Sequence, residues 1–215
     1  MSPSRATRRG LIGGAFALTV SGRALAAGVA DPQADDMALG SAKAKVTVIE
    51  YASVGCPHCA KWANEVFPAF KTKYVDTGKV RYVLRELITG EPRLATAGFL
   101  LARCAGPAKY FQVVEAVFAR QDAIFNGSVT PAAALGAIAT SVGISDDAFK
   151  ACLSDQAGLD ALNARNARHG NQDGVASTPI FFVNGKRIEG EQSLAQLDAA
   201  IAAAMPRPVR RRRRR

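Results

Sequence analysis

Two cysteines separated by two residues, Cys56 and Cys59, are the residues of this sequence best suited to chemistry. At this spacing both sulfurs can meet within one helical turn and close a disulfide. The run 46–51 before them is short, apolar and rich in β-branched residues, which predicts a buried strand, whereas the run 60–74 has apolar residues at helical spacing. The pair is therefore predicted to lie where a strand passes into a helix.

The start of that helix favours a reactive first cysteine. Pro57 suits the first helical turn, where its missing N–H costs nothing. Cys56 then lies beside the unpaired amides and the positive end of the helix dipole, which stabilise a thiolate. Cys59 lies deeper in the helix, where burial keeps it a thiol. A nucleophilic cysteine beside a resolving one is the minimum equipment for thiol–disulfide exchange.

Other uses of a two-cysteine motif are less well supported by the rest of the chain. A structural zinc site normally needs a second close pair, and Cys104 and Cys152 are far apart. Redox chemistry is thus the favoured interpretation. A hypothesis of another class stays open, namely a metal-binding module that uses Cys56, His58 and Cys59 as ligands.

Three short stretches together suggest a family. They are Glu50-Tyr51 before the motif, the motif Cys56-Pro57-His58-Cys59, and Ser177-Thr178-Pro179 before the strand 180–183. In these residues the sequence resembles the thioredoxin superfamily, and within it the DsbA family of periplasmic disulfide oxidoreductases, over about residues 38–204. The resemblance implies an α/β thioredoxin-like fold with an inserted all-helical subdomain.

The resemblance also implies roles for the residues near the motif. Cys56 would be the nucleophile and Cys59 the resolving cysteine. Pro57 and His58 would tune the redox behaviour, His58 by lowering the pKa of Cys56 and so making the disulfide oxidising.

Glu50, six residues before Cys56, corresponds to an acidic position beneath the active site in the family. A buried carboxylate there could accept the proton of Cys59 during exchange. The expected partner cation is Arg81 or Arg85 on the next strand. A plain exposed Glu50 is the alternative.

The Thr178-Pro179 pair resembles the cis-proline loop of the family. A cis bond at this place would expose the Thr178 backbone for pairing with an extended client peptide. An ordinary trans proline that opens an edge strand is the alternative. Because the residue before this proline varies among relatives, Thr178 does not decide between oxidase activity and reductase or isomerase activity.

Cys104 and Cys152 are expected to form a second, structural disulfide, because an exported protein with an even cysteine count tends to pair them. This second pair resembles one subgroup of DsbA proteins, mainly from alphaproteobacteria. Two free buried thiols are the alternative.

The predicted organisation follows from the strand and helix patterns. Between about residues 88 and 175 the periodicity is helical and no strand is indicated, and His169 is expected on the surface of this block. The predicted segments are an export signal at 1–26, a first thioredoxin-like part at 27–87, an inserted helical subdomain at 88–175, a second thioredoxin-like part at 176–205 and an arginine-rich tail at 206–215.

Both ends of the chain are basic. Arg8 and Arg9 precede a short apolar run and the cleavage-type sequence Ala24-Leu25-Ala26, which is typical of a twin-arginine-like export signal. The formal net charge is +10, yet four arginines lie in this leader and seven at the carboxyl end, so the body is nearly neutral. Nucleic-acid binding by the body is therefore not indicated. Export predicts a periplasmic, oxidising location.

The leading functional hypothesis is a protein-disulfide oxidoreductase that gives its Cys56–Cys59 disulfide to reduced exported proteins. Its expected partner is a membrane oxidase like DsbB, and a monomer is expected. No cofactor is expected, because the disulfide is itself the redox group. A reductase or isomerase of the same superfamily is the rival among enzymes.

Overall fold

The computed structural model describes residues 33–171 and 173–206. The predicted export signal and the tail residues 207–215 lie outside the described residues. In chain order the elements are β1 (Met37–Leu39), β2 (Val46–Ala52), α1 (Pro57–Glu65), α2 (Phe67–Phe70), a π-helical turn (Lys71–Val75), β3 (Val80–Glu86), α3 (Pro92–Cys104), α4 (Tyr110–Phe125), α5 (Pro131–Ser141), α6 (Asp146–Leu153), α7 (Gln156–Asn171), β4 (Ile180–Val183), β5 (Lys186–Glu189) and α8 (Leu194–Ala204).

The strands form one five-stranded sheet in the order β1–β3–β2–β4–β5. Strands β2 and β3 are parallel, and every other neighbouring pair is antiparallel. Nearly every residue of β2 is buried, as its continuous apolar run predicts for a central strand covered on both faces. Because α3 to α7 lie between β3 and β4, the α/β fold with a helical insertion is confirmed.

The inserted helices are tied to the sheet by one buried carboxylate. Glu86, at the end of β3, accepts hydrogen bonds from Arg103 of α3, Tyr110 of α4 and Arg165 of α7, at 2.6, 3.0 and 2.6 Å. Each partner brings a donor to a group that would be costly to bury alone. The carboxylate therefore joins three inserted helices to the strand that precedes them.

The helix that follows the motif breaks where the sequence places a proline. Helix α1 ends at Glu65, and α2 begins at Phe67 with Pro68 in its first turn. A proline deeper in one continuous helix would remove a backbone hydrogen bond and clash with the preceding turn. The break at Val66 lets Pro68 start a new helix instead.

The predicted surface position of His169 is wrong. The residue is 1% exposed, and its ring packs edge-on against Tyr51 of β2 with centroids 5.4 Å apart. Its Nδ1 lies 2.7 Å from the carbonyl oxygen of Glu86. The helix α7 lies against the sheet at this point, which the polar composition of its last turn did not indicate.

Among the described residues, no helix combines the length and the apolar character needed to cross a lipid bilayer.

Candidate active site

The cysteine motif lies at the junction between β2 and α1. Cys56 occupies the position before the first helical residue in an extended conformation, and Pro57 follows in the first turn. The amide of Ala60 donates to the Cys56 carbonyl, at 3.1 Å, and starts the helix. Cys56 is 6% exposed and Cys59 is fully buried, so one sulfur reaches the edge of the surface and the other does not.

A glycine loop closes against the motif from the end of β3. The amide of Glu91 donates to the Gly55 carbonyl at 2.9 Å. Gly90 has a φ of 71°, and a Cβ there would lie 2.1 Å from the Gly55 oxygen. Only glycine permits this approach, which brings residues 89–91 beside Cys56.

The surroundings of Cys56 favour its thiolate. The pKa of Cys56 is lowered to about 5, first by a hydrogen bond from the Cys59 side chain, and then by the Thr178 side chain and the backbone amides of Cys59 and His58, against the opposing effect of burial. The two backbone amides among these donors belong to the amides that the start of a helix leaves unpaired. A sulfur in this setting is anionic at neutral pH and is both a nucleophile and a good leaving group.

Cys59 has the opposite character. Its pKa is raised well above the usual value, first by burial and then by its hydrogen bond to Cys56 and by the charges of Glu50 and Cys56. The structure holds both motif cysteines as free thiols. The pair is therefore divided into a thiolate and a thiol.

Glu50 is buried, at 2% exposure. The prediction that its partner is a cation from the next strand is wrong. The partner is the hydroxyl of Tyr82, which donates to the Glu50 carboxylate. Because successive residues of a strand point to opposite faces, Tyr82 shares the face of Glu50, whereas Arg81 and Arg85 belong to the other face of β3. Arg85 lies instead against Asp36 and Tyr51, at 3.0 and 2.6 Å.

The environment of Glu50 favours the protonated form of its carboxyl group. Its pKa is raised to about 8, first by burial and also by the charge of Cys56, while the hydrogen bond from Tyr82 opposes the rise. A carboxyl group with this pKa is mostly protonated at neutral pH. It can exchange a proton with Cys59, whose pKa it also raises.

The loop before β4 completes the site. The Thr178–Pro179 peptide bond is cis. The Cys56 sulfur lies 3.5 Å from the Thr178 carbonyl oxygen, so the loop contacts the first cysteine of the motif. The Thr178 amide has no hydrogen-bond partner among the described residues.

Residues 33–203 match the family model described as thioredoxin. The chain belongs to the thioredoxin family.

Within the thioredoxin family, the chain is similar to DsbA proteins. It is 29% identical to alpha-DsbA1 of Wolbachia pipientis, with a TM-score of 0.71 over 80% of this chain and 92% of that one. A Rickettsia bellii protein that carries the name protein-disulfide oxidoreductase is 34% identical to this chain over 80% of its length. A Rickettsia typhi protein with the same name is 35% identical over the same share. The chain spans 65% and 62% of the lengths of these two relatives.

Some residues at this thioredoxin-family site were missed by the sequence interpretation because their partners are far away in the chain. Thr89 is one of them: its hydroxyl lies 2.6 Å from the Thr178 hydroxyl. Its backbone carbonyl accepts a hydrogen bond from Ser53, at 2.8 Å, just before the motif. Thr89 therefore links the loop after β3 to both other parts of the site.

Gln121 reaches the motif from the inserted helix α4. Its Nε2 donates to the carbonyls of Val54 and Cys56, at 2.9 and 3.3 Å, and the residue is 1% exposed. The only sequence signal was a polar residue on the apolar face of a predicted helix, which is costly to bury without a partner. The inserted helices thus hold the backbone on which Cys56 is mounted.

The His58 ring contacts a carboxylate rather than the Cys56 sulfur. Its Nδ1 lies 2.5 Å from Glu191 Oε1, in the loop between β5 and α8. His58 lowers the pKa of Cys56 through its backbone amide, and its ring is not among the leading causes of that shift. In this structure, therefore, no direct contact between the His58 side chain and Cys56 supports the prediction that this side chain lowers the Cys56 pKa.

Cys104 and Cys152 are joined by a disulfide in the structure. The bond links the last residue of α3 to α6, across 48 residues of sequence. It lies within the inserted helices and contributes no atom to the motif.

Within residues 33–171 and 173–206, no group of three or more His, Cys, Asp or Glu side chains is placed so that it could hold a metal ion.

Proposed function

We propose that this chain is a periplasmic thiol:disulfide oxidoreductase that donates its Cys56–Cys59 disulfide to reduced exported proteins. The observation that supports it most is the division of the pair into a stabilised Cys56 thiolate and a buried Cys59 thiol. Stabilising the thiolate stabilises the reduced form, and a dithiol with a stable reduced form makes an oxidising disulfide. The similarity to alpha-DsbA1 of Wolbachia pipientis supports the same reaction class.

In the first step, a client thiolate attacks the Cys56 sulfur of the oxidised pair. The Cys56–Cys59 bond breaks, a client–Cys56 disulfide forms, and Cys59 leaves with the electron pair. Glu50, protonated at neutral pH because burial raises its pKa to about 8, can supply the proton that Cys59 takes up. The negative charge then lies on the Glu50 carboxylate, which accepts the hydrogen bond from Tyr82.

In the second step, another client thiolate attacks the client sulfur of the mixed disulfide. A disulfide forms in the client, and Cys56 leaves as the thiolate that its surroundings stabilise. The client loses two electrons and the motif gains them. A membrane oxidase like DsbB is the proposed acceptor that restores the disulfide.

The cis-proline loop is proposed to hold the client during both steps. The unpartnered Thr178 amide and the carbonyl beside Cys56 present backbone groups to an extended chain. Such a chain would pair with this edge by main-chain hydrogen bonds, which tolerate many side chains. This suits an enzyme that acts on many unfolded clients as a monomer.

The domain layout is part of the proposal. The segments 27–87 and 176–205 would form the thioredoxin-like part, and 88–175 would form the helical subdomain. An export signal at 1–26 would bring the chain to the periplasm. The tail 206–215 is proposed to be a solvated basic segment.

A stoichiometric exchange experiment tests the reaction. Protein with an oxidised motif should convert a reduced peptide with two cysteines into its disulfide while Cys56 and Cys59 become thiols, which mass spectrometry resolves, whereas Cys59→Ala, which cannot form the donor disulfide, should oxidise none of the peptide. Failure to exchange with the peptide, together with stoichiometric zinc or copper in the purified protein, would favour a metal-binding module.

A redox titration against glutathione tests the direction. We expect an equilibrium well on the oxidising side of the value of about −270 mV that is typical of thioredoxin. A potential as low as that would support the reductase alternative. The Cys104→Ser/Cys152→Ser variant, titrated in parallel, isolates the motif from the second disulfide.

A further inference from the structure

One carboxylate contacts two basic side chains from the first turns of α1. Glu191 Oε1 lies 2.5 Å from His58 Nδ1, and Glu191 Oε2 lies 3.1 Å from Lys61 Nζ. His58 and Lys61 are 72% and 58% exposed at their side chains, whereas the Glu191 side chain is 28% exposed. The carboxylate is the least exposed member of the group, and it holds both basic side chains at one place.

The backbone fixes the position of Glu191. The amide of Gly190 donates to the Pro179 carbonyl at 3.0 Å, so the loop before α8 is attached to the cis proline itself. The side chain of Gln192, which is buried, donates to the carbonyls of Glu189 and Gly190 at 2.8 and 3.1 Å. Glu191 therefore connects the motif helix to the cis-proline loop, and the hydrogen bonds of its two neighbours hold its backbone in place.

The charges at this place belong to the helix whose start holds the Cys56 sulfur. His58 and Cys56 flank Pro57, and Lys61 lies one turn further along the same helix. Positive charges there favour the Cys56 thiolate, whereas a carboxylate that binds them offsets their field and adds a negative charge of its own. The pKa of Glu191 is lowered, first by its hydrogen bond with His58 and also by Lys61, which shows that the three groups interact.

Building on the proposed function, we propose that Glu191 is a positioning residue of the redox site. It holds the His58 ring and the Lys61 ammonium on its carboxylate and thereby restrains the oxidising strength of the Cys56–Cys59 disulfide. The oxidising character of the motif is then set by a loop more than 130 residues away in sequence as well as by the two residues between the cysteines.

The test is the Glu191→Gln variant, which keeps the shape of the side chain and removes its charge. Its redox equilibrium with glutathione should move toward reduced protein and oxidised glutathione by about two- to fivefold, the range open to a partly exposed ion pair. The pKa of Cys56, followed by the ultraviolet absorbance of its thiolate, should fall in parallel. Both changes should shrink in 1 M salt, because charges are screened over about 10 Å at about 0.1 M salt and over a shorter distance at 1 M.

The Glu189→Gln variant is the matched control. It makes the same charge change two residues away, where Glu189 is 73% exposed and pairs with Arg187 at 3.1 Å. The combined Glu191→Gln/His58→Gln variant then tests the route, because the effect of losing the carboxylate should be smaller once the ring is absent.

The outcomes separate this inference from the proposed function. If Glu191→Gln changes the Cys56 pKa and the glutathione equilibrium no more than Glu189→Gln does, or makes the motif less oxidising, Glu191 does not restrain it. A merely structural role would lower the melting temperature and leave both thiolate readouts in place. If the unaltered protein does not oxidise a dithiol peptide while Glu191→Gln still lowers the Cys56 pKa, the proposed function fails and the role of Glu191 stands.

Discussion

The two cysteine pairs of this chain have opposite environments. Cys56 and Cys59 are separated by two residues, both are buried, and they are unbonded at the start of a helix. Cys104 and Cys152 are 48 residues apart and bonded, and they join two helices of the insertion. The same functional group therefore serves as a reactive pair in one place and as a crosslink in the other.

What differs is the set of donors around the sulfur. Cys56 receives hydrogen bonds from a neighbouring thiol, a threonine side chain and two helix amides, and its pKa falls to about 5. The bonded pair has no such assembly, and its cysteines do not titrate. A crosslink needs only geometry, whereas a redox pair needs an environment that stabilises one sulfur as an anion.

The sharpest way to test this comparison is to disable each pair in turn. Cys56→Ala should abolish exchange with a dithiol peptide, because the attacked sulfur is gone. Cys104→Ala/Cys152→Ala should retain exchange within about threefold, since no atom of that pair touches the motif. Stopped-flow measurement of peptide oxidation compares the two, and equal losses would mean that both pairs take part in the reaction.

The second disulfide should matter for stability instead. Removing it by Cys104→Ala/Cys152→Ala should lower the free energy of unfolding by up to about 4 kcal/mol, the chain-entropy value for a loop of this length. Urea unfolding with the motif kept oxidised in both proteins measures the difference. An unchanged midpoint would show that the inserted helices hold together by packing alone.

The Cys56 thiolate should make the reduced protein depend on pH. Its folded pKa of about 5 lies below its unfolded value of 9.0, so the folded state loses the proton first. The stabilisation is complete above the unfolded pKa and disappears as the pH falls through 5, with a slope of at most about 1.4 kcal/mol per pH unit between. The difference in unfolding free energy between reduced protein and reduced Cys56→Ala should therefore grow from pH 5 to pH 8. A constant difference would contradict a stabilised thiolate.

Glu50 should act with the opposite sign. Its folded pKa of about 8 lies above its ordinary value of 4.5, so the folded state keeps the proton longer. The stability it contributes is complete below the unfolded pKa and is lost as the pH rises toward 8. Compared with Glu50→Gln, the oxidised protein should lose on the order of 2 kcal/mol between pH 5 and pH 8, less than the full shift implies because a buried site relaxes. Using the oxidised state keeps Cys56 from titrating.

The exposed Glu65 of the motif helix provides the control for that measurement. Glu65→Gln makes the same substitution at an exposed position of the helix, so the pH dependence that belongs to the buried site is the difference between the two variants. If that difference does not change with pH, then Glu50 does not keep its proton at neutral pH, and another group must protonate Cys59.

The sequence allowed prediction of everything that depends on neighbouring residues. The strand before the motif follows from its β-branched run, the start of α1 from Pro57 in the first helical turn, and the inserted helices from the helical periodicity between residues 88 and 175. Contacts between distant segments were less accessible. Glu50 was given a cation from β3, yet the alternation of that strand brings Tyr82 to it, and only the register between β2 and β3 decides this.

Contacts with residues from the far end of the chain could not be predicted either, because they depend on how the elements pack. Glu191 is an ordinary acidic residue in a loop until the hairpin of β4 and β5 brings it to His58. Gln121 lies on the apolar face of its helix and His169 in a polar last turn, and neither pattern identifies the backbone carbonyl that each side chain contacts. A pattern of residue types predicts which element forms, and the packing of elements decides which polar side chains meet.

The smallest expected effect concerns Thr89, which sharpens the account of the Cys56 environment. Its hydroxyl lies 2.6 Å from the Thr178 hydroxyl, and the Thr178 side chain lowers the pKa of Cys56. Thr89→Val should leave Thr178 without this partner and raise the Cys56 pKa by about half a unit, which corresponds to a neutral hydrogen bond of modest strength. Thr89→Ser keeps the hydroxyl and should leave the pKa in place. Because Thr89 acts through Thr178, adding Thr89→Val to Thr178→Val should produce no further rise in thiolate titration, and an additive rise would mean that Thr89 affects the sulfur by another route.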